Sequence, residues 1–407
     1  MRARVGVSAA LLSLALIATA GPVRGAENGS TGGSFVTGPL RRAVRRVKIV
    51  VPGDLVNQDC RTGVCKHNEN TDLTRWRGAV WFVHRTAGSQ VLGPNSSLRV
   101  YRSRNGGRKF VLAAIIPAPA DRDIRDPSFY EVNGRLPLKA LTRLPGFTLR
   151  DFAVDTIAVE THSDDGQTWS PLQAIGPVRF GFWSVREHEG VHYSAAYEDG
   201  DLRVQLFRST DGVQWTAGAE VYGVSADTPL ETELVFMPSG LLLGLVRMDG
   251  IDFELLGQRG RSRTKICWAS PPYDTFTCPA EFQGVRLDGP VSFFWRRRLF
   301  VIARKHIPGP RVRKRTALYE IVGDLDGGPL GIVEWGELPS AGDTSYAGVV
   351  PIGRSKILAT WYSSPPEDDP SWLEGLVGRT DIWQATISLT RLTPKRRPAT
   401  LMQVDTP

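Results

Sequence analysis

Eight residues of this chain have side chains suited to chemistry and stand at equivalent places beside short apolar runs. Five of them open a pair of such runs: Asp72, Arg125, Asp126, Glu231 and Tyr346. Three others close an apolar run: Arg85, Arg247 and Arg304. A carboxylate can deliver or accept a proton, and a phenol can act as a nucleophile when a base shares its proton. Arginines bind carboxylates through charge-assisted hydrogen bonds, so the set contains groups for proton transfer and for binding an anion.

The segments that must position these residues are short and rich in β-branched and aromatic side chains. Examples are Gly78–His84, Leu202–Phe207, Leu241–Val246 and Ile357–Tyr362. Most are bounded by Gly, Asp, Asn or Pro, as strands that end in tight turns are. Almost no amphipathic helical periodicity longer than two turns occurs after Val47. Many short strands without helices between them predict an all-β sandwich, barrel or propeller.

A repeated turn motif favours the propeller. Ser163–Trp169 and Ser209–Trp215 both read S-x-D-G-x-x-W, and Ser103–Phe110 is a longer copy with Asn for Asp and Phe for Trp. We interpret these three segments as Asp boxes and call them the corner turns. In such a turn the acidic side chain caps backbone N–H groups, Gly adopts a positive φ and the aromatic ring packs beneath. Copies 46 to 60 residues apart suit one four-stranded blade each.

A second repeat consists of two apolar runs joined by a turn that contains Gly. It occurs at Ser128–Leu136, Leu234–Leu242 and Val349–Ile357. These hairpins fit the two inner strands of a blade. The residue just before each hairpin then faces the central axis, where propellers bind ligands.

Two of these segments resemble the sialidases. Glu231, Gly240 nine positions on and Arg247 a further seven along are similar in order and spacing to the glutamate and second arginine of that family. Gly342–Tyr346, followed by Trp361–Ser364, resembles the segment that carries its tyrosine. Arg304, 42 residues before Tyr346, stands where a third arginine is expected. The resemblance implies an all-β, six-bladed propeller.

A branch of bacterial sialidase-like proteins resembles the chain more closely, over about residues 66–386. The segments that carry this resemblance are His67–Leu73, Val83–Arg85, Ile124–Pro127 and Gly342–Tyr346. It implies the fold more strongly than the reaction.

The resemblance implies a retaining exo-acting glycoside hydrolase with a tyrosine nucleophile, an exception to the usual pair of carboxylates. Tyr346 would be the nucleophile, Glu231 its base and Asp72 the acid. The substrate would be the terminal, anionic sugar of a glycan. The residues expected to bind it are Arg125, Arg247, Arg304, Arg85, His67 and Asp126, and Arg186 is a further candidate.

The chain departs from the sialidase pattern in its first blade. Sialidases carry Arg-Ile-Pro there, whereas this chain has Asn70-Thr71-Asp72, and Arg125-Asp126-Pro127 opens the second blade instead. Sialic acid as the substrate is therefore in question. Asp151, 26 residues after Arg125, is another candidate acid.

Two other functions stay open. One is a glycosidase of this fold that uses two of Asp72, Asp126 and Glu231 as a carboxylate pair. The other is a non-catalytic propeller that binds a glycan or a protein. In both, Tyr346 would be an ordinary inner-strand aromatic residue.

The ends of the chain and its cysteines predict export. Residues 1–26 have a basic start and a short apolar stretch typical of a signal peptide, and residues 27–45 read as a flexible linker. The propeller is expected at residues 46–392, and a tail at 393–407. Two close cysteine pairs, Cys60 with Cys65 and Cys267 with Cys278, predict disulfides formed in an oxidising compartment. We expect a secreted or periplasmic monomer without a membrane span.

A formal charge of +8 indicates attraction to acidic glycans, nucleic acid or anionic surfaces, or else solvated basic loops. The basic runs are 41–48, 296–298, 311–315 and 395–397. They lack interleaved aromatic residues, which argues against nucleic acid. No phosphate-binding loop, HExxH or GxSxG motif occurs, and the six histidines lack metal-ligand spacing, so no cofactor or metal is expected.

Overall fold

The computed structural model describes residues 35–91, 93–144, 155–199, 203–224, 228–249, 263–307, 311–402 and 404–405. The expected signal peptide and Asp151 lie outside these residues. The described chain is almost entirely β-structure, with one short α-helix, α1 (Trp372–Val377), and 3₁₀ turns at Pro39–Arg42, Leu389–Arg391 and Pro394–Arg396. None of its helices has the length and apolar character needed to cross a bilayer.

Six antiparallel sheets form the six blades of a β-propeller, which confirms the predicted fold. The strands of blades 1 to 3 are, from the inside out, β2 (His67–Trp76), β3 (Ala79–Ala87), β4 (Ser97–Ser103) and β5 (Val111–Pro117); β6 (Asp123–Phe129), β7 (Leu136–Arg143), β8 (Ile157–Ser163) and β9 (Gln173–Ala174); and β10 (Phe180–His188), β11 (Val191–Glu198), β12 (Val204–Ser209) and β13 (Thr216–Tyr222). Each of these three blades is a meander whose four strands pair in sequence order.

Blades 4 and 5 repeat this order, and blade 6 borrows its outer strand from the beginning of the chain. Their strands are β14 (Pro229–Phe236), β15 (Leu242–Met248), β16 (Arg263–Ala269) and β17 (Thr277–Gln283); β18 (Asp288–Trp295), β19 (Arg298–Ile307), β20 (Arg313–Gly323) and β21 (Leu330–Leu338); and β22 (Thr344–Gly353), β23 (Lys356–Ser363), β24 (Asp381–Ser388) and β1 (Val44–Val51). The β1–β24 pairing closes the ring.

The chain ends extend the fold beyond the predicted propeller boundaries. Val36, Leu40 and Ala43 are buried in the core between blades 5 and 6, so the end of the expected linker belongs to the folded unit. In the expected tail, β25 (Thr400–Met402) pairs with β21 and β26 (Val404–Asp405) pairs with β17. Both ends therefore add strands to the outside of blades.

The hydrophobic core is divided among the junctions between neighbouring blades. One cluster joins Phe300 of blade 5 to Trp361 of blade 6, and another joins Trp81 of blade 1 to Leu138 of blade 2. Further clusters fill the remaining junctions. Because each blade covers the face of the next, closing the ring buries the apolar faces of the described inner strands.

The corner turns join the third and fourth strands of blades 1, 2 and 3. In the second, Ser163 Oγ accepts the Gly166 N–H at 2.7 Å, and Asp165 Oδ1 accepts the Gln167 and Thr168 N–H groups at 2.7 and 2.8 Å. Equivalent bonds form in the other two copies. These turns lie at the end of the blades opposite to the start of the inner strands.

Both predicted disulfides are present. Cys60 is bonded to Cys65, and Cys267 in β16 is bonded to Cys278 in β17. The second bond links the two outer strands of blade 4.

Replacing Leu40 with Ala tests whether the segment before β1 belongs to the fold. Leu40 is fully buried, so we expect the free energy of unfolding to fall by about 2 to 5 kcal/mol. The matched control is Leu55→Ala, because Leu55 is 50% exposed and should change it by less than about 0.5 kcal/mol. Urea unfolding measures both values, and equal effects would mean that the segment is a linker.

Candidate active site

Every inner strand carries a β-bulge at the same place. Two consecutive residues there face a single residue of the second strand, namely Asn70–Thr71, Asp126–Pro127, Trp183–Ser184, Leu230–Glu231, Gly289–Pro290 and Tyr346–Ala347. We call these twelve residues the bulge ring. A bulge bends its strand and redirects side chains. Residues of five bulges, all but that of Leu230–Glu231, line one small cavity on the propeller axis, so the bulges bring five distant segments together there.

Tyr346, Glu231 and Arg247 meet in this ring. The Tyr346 hydroxyl donates a hydrogen bond to Glu231 Oε1 at 2.6 Å, and Arg247 Nη1 lies 3.1 Å from the same hydroxyl. Arg247 Nη1 also donates to Glu231 Oε2. The sequence analysis predicted this association of a phenol, a carboxylate and an arginine.

Gly289, which the sequence analysis missed, completes the surroundings of Glu231. Its N–H donates to Glu231 Oε2 at 3.1 Å. Its φ is +53°, and a Cβ atom there would lie 2.9 Å from the Tyr346 ring. Only glycine fits both the backbone conformation and the close approach of the ring. The position could have been found from its place at the start of an inner strand, equivalent to Tyr346.

The phenol is held in its neutral form. Burial and the Glu231 carboxylate raise the pKa of Tyr346 well above 10, although Arg247 and Arg304 act in the opposite direction. The Arg304 guanidinium carbon lies 4.7 Å from the centre of the Tyr346 ring. The hydroxyl can therefore act as a nucleophile only by passing its proton to a base, and Glu231 is within hydrogen-bond reach.

Arg247 is surrounded by carboxylates that the sequence analysis did not select. Its Nε lies 2.7 Å from Asp249 Oδ1 and 3.1 Å from Asp288 Oδ1. Burial alone would raise the pKa of Asp288, but Arg247, Arg286 and His306 hold it well below its ordinary value. Asp288 therefore stays ionised and fixes the guanidinium that contacts Glu231.

The two predicted acids occupy different environments. Both oxygens of Asp72 accept backbone N–H groups, from Leu73 at 2.8 Å and from Phe129 at 2.7 Å. Asp72 thus ties blade 1 to blade 2. Asp126 is the first residue of its bulge, as Tyr346 is, and accepts a bond from the Asn70 side chain. Burial raises the pKa of each carboxyl to about 6.

Arg125 and Arg85 share one carboxylate partner, Asp123. Arg85 has no exposed surface and also contacts Glu69, so it positions carboxylates rather than contacting a ligand. Arg125 is 8% exposed and pairs with Asp123 through Nε and Nη2. Its Nη1 donates to no acceptor in the described part of the chain, and the same is true of Arg304 Nη1.

Arg186 and Trp183 of blade 3 also line the axial cavity. Arg186 pairs with Glu233, which accepts further bonds from Ser184 and Ser292. The Trp183 ring stands edge-on to the Tyr346 ring with their centres 5.7 Å apart. Trp183 was not predicted, although it occupies the bulge position that Asp126 and Tyr346 hold in their blades.

His67 is fully buried at the junction of blades 1 and 6 and does not line the axial cavity. Its Nδ1 lies 3.2 Å from the Gly378 carbonyl oxygen, and its Nε2 lies 3.5 Å from Glu69 Oε2 and 3.3 Å from Asp343 Oδ2. Burial lowers the pKa of His67, but the two carboxylates raise it more, to about 9. With this pKa, His67 would carry a proton at neutral pH and would link the first and last blades through the two carboxylates.

The same three groups, His67, Glu69 and Asp343, form the described cluster whose spacing suits a metal ion. Arg85 contacts the other oxygen of Glu69, and Arg304 contacts the other oxygen of Asp343. These cations already balance the two carboxylates. A proton on His67 satisfies the cluster with less buried positive charge than a divalent ion would add.

The stability of the protein should fall at alkaline pH because of His67. Its folded-state pKa of about 9 lies above the unfolded value, so the stabilisation is complete below pH 6.5 and is lost as pH rises through 9. The full effect is on the order of 3 kcal/mol. The measurement is the free energy of unfolding from pH 6 to 10, for the protein and for His67→Gln.

The matched control is His192→Gln, because His192 is buried but its Nε2 bonds the Glu131 carbonyl oxygen rather than a carboxylate. Only His67→Gln should flatten the profile between pH 6.5 and 9. Parallel profiles for the protein and His67→Gln would show that His67 carries no proton.

No family model matches this chain, and no curated protein does. Solved structures share its fold. A protein of unknown function from Dyadobacter fermentans has a TM-score of 0.56 and 15% identity over 84% of this chain and 99% of its own. The NanB sialidase of Streptococcus pneumoniae has a TM-score of 0.60 and 11% identity, over 84% and 71%. The intramolecular trans-sialidase of Ruminococcus gnavus has a TM-score of 0.60 and 12% identity, over 84% and 98%.

These likenesses establish a sialidase-like six-bladed propeller. At 11 to 15% identity they concern the fold, and one of the three proteins has no known function. The reaction must be argued from the residues of the bulge ring.

Proposed function

We propose that this protein is a secreted, exo-acting glycoside hydrolase that removes a terminal anionic sugar from a glycan by a retaining mechanism. The observation that carries the proposal is the 2.6 Å hydrogen bond from the Tyr346 hydroxyl to Glu231, with Arg247 3.1 Å from the same hydroxyl. A neutral phenol paired with a carboxylate base on the axis is an activated nucleophile.

In the first step the Tyr346 oxygen attacks the anomeric carbon and its proton passes to Glu231. The bond from that carbon to the leaving oxygen breaks, and an acid protonates this oxygen. We assign the acid to Asp126, whose bulge position is equivalent to that of Tyr346. In the second step Asp126 takes a proton from water, and the resulting hydroxide attacks the same carbon. The bond to the Tyr346 oxygen breaks, and Glu231 returns its proton to that oxygen, so both residues regain their starting forms and the configuration is retained.

Two arginines support the inference that the sugar is anionic. Arg304 and Arg125 use Nε and Nη2 on protein acceptors, while each keeps an Nη1 group for a ligand. Arg247 approaches the reacting hydroxyl but is shared among Glu231, Asp249 and Asp288. A carboxylate bound by two arginines is the chemistry we expect.

Export rests on the predicted signal peptide and on the two disulfides, which are typical of proteins folded in an oxidising compartment. The proposed substrate is then the end of an extracellular glycan, reached by a protein that acts as a monomer.

Tyr346→Phe should abolish hydrolysis, because it removes the attacking oxygen and leaves the ring. We expect kcat/KM to fall by at least about a thousandfold. The measurement is fluorophore release from a panel of aryl glycosides headed by the α-sialoside. The matched control is Tyr273→Phe, since that hydroxyl donates to the Gly240 carbonyl oxygen in blade 4 and its loss should leave kcat/KM within about twofold.

Activity that survives in Tyr346→Phe would contradict the tyrosine mechanism and support the carboxylate pair. A second candidate function, a non-catalytic glycan-binding propeller, is favoured by the three carboxylates that share Arg247. Absence of turnover on every glycoside, with glycan binding retained, would support it instead.

Asp126→Asn separates the two candidate acids. With a pKa near 6, Asp126 should lose its proton as pH rises, so kcat/KM for glycosides with poor leaving groups should decline above pH 6. Asp126→Asn should remove this decline and should slow poor leaving groups by about a hundredfold or more, while activated aryl glycosides are spared.

The comparison variant is Asp72→Asn, which should lower stability without changing the dependence on the leaving group. The assignment of the acid is wrong if Asp72→Asn, rather than Asp126→Asn, produces the selective loss on poor leaving groups.

A further inference from the structure

A groove lined by positive side chains runs along the outer strand of blade 6. It lies between β1 and the first corner turn and encloses about 780 Å³. The cations that line it are Arg45, Arg46, Lys48, Arg108 and Lys356, and all five are exposed. We call it the basic groove. No carboxylate lines it.

The five cations are not neutralised by the protein. None of them forms an ion pair within the part of the chain that the structure describes, and their only side-chain bonds go from Lys48 to the Arg108 carbonyl and from Arg45 to its neighbour Val44. Some cations elsewhere do have carboxylate partners, for example Arg203 with Glu198, Lys305 with Glu334 and Arg311 with Glu374. The groove therefore concentrates positive charge that an external anion can neutralise.

The basic groove is far from the bulge ring along the blades. Arg45 and Arg46 lie near the start of β1, Arg108 lies in a corner turn, and Lys356 begins β23. These positions are at the end of the blades opposite to the start of the inner strands. A ligand held here leaves the axial site uncovered.

We propose that the basic groove binds an extended, acidic polysaccharide. A concave groove accepts a single flexible chain better than a flat membrane or a rigid duplex. A β-bulge lies between Arg45 and Lys48, which face Thr386 and Gln384, two positions apart on β24. The two cations are therefore about 7 Å apart along the strand and can contact neighbouring acidic sugars of one chain.

A second groove lies at the same end of the propeller, at the junction of blades 1 and 2. It is lined by Arg77, Arg102 and Arg104, with Asp165 as its one carboxylate. That carboxylate is occupied by the backbone of its own turn. The positive surface thus extends along one end of neighbouring blades.

Charged residues on an outer strand also prevent edge-to-edge association of sheets. This role would explain Arg45, Arg46 and Lys48 on β1, but it does not explain Arg108 or Lys356, which face the same groove from other elements.

The test compares two triple variants of the full chain with equal loss of charge. The groove variant loses three positive charges of the basic groove through Arg45→Gln, Arg46→Gln and Arg108→Gln. The control variant loses three exposed arginines elsewhere through Arg61→Gln, Arg208→Gln and Arg297→Gln. The probe is a heparin dodecasaccharide, with Kd measured by calorimetry at several NaCl concentrations. We expect the groove variant to bind at least tenfold more weakly at physiological salt and the control variant to stay within about twofold of the unmodified protein.

The slope of log Kd against log salt should fall by about two to three in the groove variant, one counterion for each cation removed. An equal loss of heparin affinity in both variants would show that binding depends only on the net charge of the protein, and it would overturn the proposal. Self-association of the groove variant with unchanged heparin affinity would assign the charges to edge protection. Tighter binding of single-stranded DNA or phosphatidylserine vesicles than of heparin would overturn the choice of partner.

Discussion

In a regular antiparallel strand, successive side chains point to opposite faces of the sheet, so the first strand of a blade offers the axis only part of its residues. In each inner strand the bulge places two consecutive residues opposite one residue of the second strand. It thereby redirects side chains that a regular strand would keep away from the axis. Asn70, Asp126, Gly289 and Tyr346 all have positive φ at the first bulge position. Lys139 holds two of the bulges by donating to the carbonyl oxygens of Asp126 and Phe182 at 3.2 and 2.5 Å. The proposed chemistry depends on this shared distortion, because it brings residues more than a hundred positions apart into hydrogen-bond contact.

The buried charges around the ring can be understood as one balance. A lone buried carboxylate or guanidinium is strongly destabilising, and removing one partner of a buried pair typically costs 3 to 5 kcal/mol. Asp249 and Asp288 therefore compensate the buried charge of Arg247, and Arg247 in turn compensates the buried charge of Glu231. In the proposed function, the guanidinium nearest Tyr346 would therefore be held rigidly by these carboxylates. The ligand would be recognised by Arg125 and Arg304, whose Nη1 groups donate to no acceptor in the described part of the chain.

Strand runs, turn motifs and cysteine spacing are local signals, and they were enough to predict the propeller and both disulfides. The meeting of Tyr346, Glu231 and Arg247 was predicted from their expected axial positions and from the resemblance to sialidases. The sequence did not reveal Gly289, Trp183 or Asp288. The place of Gly289 at the start of an inner strand was its one signal in the sequence, because the ring that it accommodates lies 57 positions away in the chain. His67 and Arg85 were expected in the pocket because they stand beside axial residues. Only burial shows that both face the junctions between blades.

The first blade shows how one residue can change both binding and acid chemistry. Where the sialidase pattern has an arginine, this chain has Asn70, whose amide donates to Asp126. A guanidinium at this place would attract the ionised form of Asp126 and lower its pKa, whereas a neutral amide lets burial keep the pKa near 6. The same substitution removes one cation that would bind a carboxylate ligand. In the proposed mechanism, Asn70 in place of an arginine thus has two effects: one cation fewer is available for the ligand, and Asp126 can serve as the acid. The proposed anionic sugar would then be bound by Arg304 and Arg125.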